Sequence, residues 1–141
     1  MSERKDIATA LLGVTVALIL WITILSRETL IGTQISYRPF HALISFLKDI
    51  QRGKVSANFL GNIILFIPIG ILFPVVTGWN KMWKTVMAGV GLSLFIEIIQ
   101  FITSRGCFDP DDVLLNCLGT AISFGIYRVM EKLFAKNDLN T

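Results

Sequence analysis

Glu97 is the residue whose chemistry most needs explaining, because it sits inside the apolar run Leu92-Ser93-Leu94-Phe95-Ile96-Glu97-Ile98-Ile99-Gln100. On a helix it would lie about 12 Å before Arg105. An acid that deep in hydrocarbon costs several kcal/mol unless it is protonated, paired or hydrated, so intramembrane acids are functional candidates by default. The competing reading is a protonated glutamic acid tying two helices together. Gln100 follows three residues later on a neighbouring face. Arg105 stands just past the run, where a guanidinium can grip a carboxylate or a phosphate.

A second polar group follows in Asp109-Pro110-Asp111-Asp112-Val113-Leu114-Leu115-Asn116. Asp109 suits a helix N-cap, Pro110 the first helical position, and Asp112 could close a capping-box-like pair. Capping accounts for Asp109 well and for Asp112 less well. It leaves Asn116 unexplained, one turn deeper on the face of Asp112. Asn58 and Asn62 are likewise one turn apart in an earlier run. Cys107, Cys117 and the single histidine, His41, show no metal-ligand spacing, so no metal site and no cofactor is expected. The two cysteines read as unpaired small side chains rather than a disulfide.

The elements that must position these groups are membrane spans. Of 141 residues, 53% are hydrophobic and only 16% charged, with mean hydropathy +0.66. A soluble domain carries about a quarter charged residues. Apolar runs cover residues 7–25, 59–77, 86–103 and 113–130, each long enough for about 30 Å of hydrocarbon. The first follows Arg4 and Lys5 and precedes no small-residue cleavage site, so it reads as an uncleaved signal anchor. Pro68 should kink the second span. Gly89 with Ser93, Gly119 with Ser123, and Ala121 with Gly125 are small-residue pairs suited to close helix packing in lipid. In loop 26–57, Phe40, Leu43, Ile44, Leu47 and Ile50 keep helical spacing, which predicts a short interfacial helix, either a shield for the bundle or a lid over a site. The expected fold is therefore an all-α, single-domain bundle of four transmembrane helices over residues 1–141, with a short interfacial helix in the first outer loop.

Basic residues at Arg4 and Lys5, at Lys81 and Lys84, and at Arg128, Lys132 and Lys136 favour both termini on the cytoplasmic side of the cell membrane. Loop 26–57 weakens the contrast, with Arg27, Arg38, Lys48, Arg52 and Lys54. With this topology Asn62, Glu97, Gln100, Arg105, Asp112 and Asn116 all fall near the outer leaflet, and a polar pocket open to that face is expected. The net charge of +3 lies in segments flanking helices, not in a basic stripe interleaved with aromatics, so nucleic-acid binding is not expected.

Taken in order, these residues resemble the VanZ-like family of bacterial membrane proteins. The resemblance runs through Leu25-Ser26-Arg27, Arg38-Pro39-Phe40, Asn62-x₃-Phe66-x-Pro68-x-Gly70, Glu97-x₂-Gln100, Arg105, Phe108, Asp109, and Asp112-x₃-Asn116-x₂-Gly119. Ser123 stands where a second glycine is expected. The resemblance implies an association with resistance to the glycopeptide teicoplanin in a Gram-positive-type envelope, without a settled mechanism. It also makes Arg27 and Arg38 secondary candidates beside the polar cluster.

Three functions are compatible with these residues. The first is a non-enzymatic resistance or envelope factor that binds a lipid-linked wall precursor, a lipid headgroup or a glycopeptide. The second is a small enzyme acting on a lipid headgroup, with Glu97 as acid or base and Arg105 on phosphate, although no nucleophile motif or phosphate loop supports it. The third is a carrier or proton-coupled subunit, for which four spans would need a homo-oligomer or a partner. The first is the preferred reading.

Overall fold

The computed structural model describes residues 2–25, 34–35, 40–52 and 57–138. Four helices in it are long and apolar enough to cross a membrane. The first, α1 (Ser2–Leu20), ends in a π-helical turn, Trp21–Leu25. A short helix α2 (His41–Gln51) precedes α3 (Ala57–Thr77), α4 (Met82–Thr103) and α5 (Pro110–Asp138). The all-helical bundle with a short helix between its first and second spans is the architecture expected from hydropathy. Gln34–Ile35 (β1) pairs in parallel with Cys107–Phe108 (β2), a two-residue contact too short to leave an alternating pattern in the sequence.

Burial runs opposite to that of a soluble protein. Thr85, Ser93, Thr120 and Ser123 are fully buried, while Val14, Ile64, Met87 and Ile102 are well exposed on the outside of the bundle. Such an arrangement is stable only where the surrounding medium is itself apolar. The apolar core is modest. Ile19 and Ile24 of the first span meet Phe66 and Ile69 of α3 and Ile96 of α4.

Close approach between α3 and α5 replaces the hydrophobic drive. A methyl group added at Gly70 would lie 2.3 Å from the Thr120 carbonyl oxygen, and one at Gly119 would lie 2.3 Å from that of Ile63. Gly89 of α4 is similarly pressed against the Thr120 side chain. Gly89 with Ser93 and Gly119 with Ser123 therefore sit at helix contacts, as their spacing suggests. Gly125 does not, because its α-carbon faces open space. Helix α3 continues through Pro68 and Pro74, although each proline deprives the carbonyl four residues earlier of its usual partner.

The two ends of the bundle differ in chemistry. At one end Trp79 and Trp83 are exposed, with the Lys84 ammonium 4.8 Å from the Trp79 ring centre, an arrangement suited to a membrane–water boundary. The other end gathers the close of the first span, the start of α3, the close of α4 and the start of α5. The sequence candidates lie there.

Candidate functional site

Helix α4 closes on a left-handed residue, Ser104 (φ 53), whose N–H turns back to the carbonyls of Gln100 and Phe101. This reversal brings Arg105 and Gly106 under the helix end and sends β2 back across the bundle towards Asp109. Asp109 then caps α5. Its carboxylate accepts the Asp111 N–H at 3.0 Å, its carbonyl accepts the Asp112 N–H at 3.2 Å, and Pro110 takes the first helical position.

The other half of the cap differs from expectation. The acid on the backbone N–H of Asp109 is Glu97 of α4, through Oε2 at 2.9 Å. Asp112 is engaged elsewhere, its Oδ1 accepting the Asn62 side-chain amide. The capping box is thus completed between helices. Glu97, 2% exposed, ties the entry of α5 to the end of α4, and Asp112 ties that entry to α3.

The remaining candidates form two further links. The Gln100 amide nitrogen donates to the Thr23 carbonyl at 2.7 Å, and Arg105 Nη1 approaches the carbonyls of Ile24 and Leu25 at 3.4 Å. Those carbonyls lie at the close of the first span, in its π-helical turn. One turn below Asp112, the Asn116 amide nitrogen meets Ser93 Oγ at 2.8 Å. Two buried amide oxygens, Gln100 Oε1 and Asn116 Oδ1, accept nothing among the described residues, and a buried acceptor left so costs about 1–3 kcal/mol.

The structure therefore brings Asn62, Glu97, Gln100, Arg105, Asp109, Asp112 and Asn116 to one end of the bundle, in links joining every long helix. Arg27 and Arg38 lie outside the described residues, as does the side chain of Asn58. Cys117 carries a free thiol. Among the described residues no three His, Cys, Asp or Glu side chains gather closely enough to hold a metal ion.

Asp111 was not singled out by its sequence. At 3% exposure, its two carboxylate oxygens accept the N–H groups of Phe40 and Ala42, at 2.7 and 2.8 Å, across about seventy residues of chain. It caps the entry of α2 from another helix. Phe40 holds φ 60 there, a conformation unusual for a bulky side chain. Phe46 stacks on Phe59 of α3 with ring centres 4.0 Å apart, while Ile44 and Leu47 face outward. Between α2 and α5 runs a groove of about 270 Å³. Phe40, Ala42 and Leu43 form one wall, and Leu114, Leu115 and Leu118 the other. Phe59 and Asp111 complete its lining. The one sequence signal for Asp111 is a surplus of acids, three in a segment where capping needs one.

Four apolar helices with small and polar residues inside and a polar network at one end define a multi-pass membrane protein. Its relatives give the family. A VanZ/LLP1 family profile matches residues 9–131, and the chain belongs to that family. Protein VanZ of Enterococcus faecium is 28% identical over 138 residues, an alignment covering 91% of this chain and 78% of that protein. No solved structure matches the chain.

Proposed function

We propose that this protein is an envelope factor of the teicoplanin-resistance type, which receives the polar part of a lipid-linked wall precursor or a related lipid headgroup at the networked end of its bundle. The observation that carries this reading is Glu97, an acid held at 2% exposure inside an apolar span and bonded to the entry of the next helix. Intramembrane acids that serve packing alone are costly, and those retained commonly mark a site. The Gln100 and Asn116 oxygens that accept nothing among the described residues add acceptors that a donor-rich headgroup, bearing hydroxyls or amines, would satisfy. Arg105, half-buried beside the end of the first span, supplies the cation a phosphate would need. Basic residues at the opposite end support placing this one at the outer leaflet, with both termini cytoplasmic.

The test compares teicoplanin and vancomycin susceptibility in a Gram-positive host expressing wild type or Glu97→Gln at matched membrane levels. Resistance to teicoplanin that vanishes in the variant is the expected result. Full resistance in the variant would remove Glu97 from the function, and equal susceptibility with and without the wild type would remove the drug-specific reading.

A further inference from the structure

Asp111 and Asp112 are adjacent, yet they face different compartments: Asp112 meets Asn62 inside the bundle, and Asp111 closes the polar end of the α2–α5 groove. From Asp111 the groove follows α5 to Leu118, seven residues or about 10 Å along the helix axis. It therefore starts level with the polar network and runs into the apolar depth of the bundle.

Its chemistry selects the occupant. Among the described residues, the one charged side chain lining it has both oxygens occupied by the N–H groups of Phe40 and Ala42, and the rest of the lining is hydrocarbon. An extended peptide laid there would bring backbone N–H and C=O groups with nothing to pair, and a helix, about 10–12 Å across with its side chains, is too wide for a groove of about 270 Å³. A hydrocarbon chain brings none. Leu114 and Leu118 are 54% and 45% exposed, so the groove opens sideways on the flank of a membrane-spanning helix.

We infer that the groove between α2 and α5 seats one hydrocarbon chain of a membrane lipid, with that lipid's headgroup directed to the polar end at Asp111 and the neighbouring network. The headgroup half of this assignment rests on the function proposed above. The chain half stands on the groove alone. Because lipid tails are as apolar as leucine, selectivity over bulk lipid must come from close packing and headgroup contact.

The experiment places the full chain in nanodiscs of phosphatidylglycerol and phosphatidylethanolamine, with a fraction of the phosphatidylglycerol carrying a diazirine in its acyl chain. Irradiation and peptide mapping then compare labelling at Leu114 and Leu118 with labelling at Leu94. Leu94 is lipid-facing and one residue from Ser93, which sets its depth near Asn116. The expected labelling ratio is roughly tenfold in favour of the groove. Leu118→Trp, which fills an already exposed position, should bring it near unity without loss of the folded protein, and Leu94→Trp should leave it high. Equal labelling at groove and control in the wild type overturns the inference, as does disulfide crosslinking of two copies through a Leu114→Cys substitution in a chain whose two native cysteines are replaced by serine. Groove labelling retained in a Glu97→Gln protein with unchanged susceptibility would support the chain site while removing the polar-network function.

Discussion

The two faces of α5 solve opposite problems within one turn of helix. The face towards α3 and α4 carries Asp112, Asn116, Gly119 and Ser123 and is closed: Gly70 and Gly119 leave no room for a methyl group, Asp112 and Asn116 find partners on neighbouring helices, and the Ser123 hydroxyl donates to carbonyls of its own helix. The face towards α2 carries Asp111, Leu114 and Leu118 and is open, with a short helix held off by one carboxylate and one aromatic stack. Where a polar residue points at a close neighbour it fastens the bundle. Where a polar residue points at a capped helix end, it fixes a wall and leaves a space behind it.

The sharpest way to break this contrast is at the closed seam. Gly70→Val should abolish recovery of folded protein or lower its stability by about 3 kcal/mol, because the obstruction includes the backbone carbonyl of Thr120 and not only a side chain that can turn aside. Thermal unfolding in detergent measures it, and a folded variant of wild-type stability would contradict the packing described. Asp112→Ala comes next. Removing the acceptor strands the Asn62 amide, half-buried between α3 and α5, at a cost of about 1–3 kcal/mol in the same assay. A shift no greater than that of an exposed control such as Lys132→Ala would mean that this pair fastens nothing.

The smallest effect belongs to the open face. Asp111→Ala removes the cap from α2 and the hold on the strained Phe40 backbone, worth about 0.5–2 kcal/mol. The loss should be local. Hydrogen exchange should quicken across α2 while α3 and α4 keep their protection and the unfolding temperature moves little. Loss of protection throughout the bundle would show that the two faces are one structure rather than two.

Hydropathy made the four spans legible, and the helical spacing of Leu43, Ile44 and Leu47 was enough to reveal α2. The N-cap role of Asp109 with Pro110 was equally readable, since both act on their own helix. What could not be read was every interaction whose partner lies far along the chain. Glu97 declares its importance by depth alone, but its bond to the Asp109 N–H depends on the left-handed turn at Ser104. Asp111 looks like another first-turn acid until α2 is placed beside it. The groove has no sequence signature at all, because it is the space between two ordinary apolar stretches.

The bonds from Gln100 and Arg105 to the close of the first span reach across 77 and about 80 residues. At ribosomal rates of about 5–20 residues per second, the carbonyls of Thr23, Ile24 and Leu25 are made ~4–15 s before the side chains that accept responsibility for them. Through that interval these three carbonyls are without the two side chains that donate to them in the folded bundle. The order of synthesis therefore makes the junction between the first and third spans a late step of assembly, closed only when residues some eighty positions further on have been made.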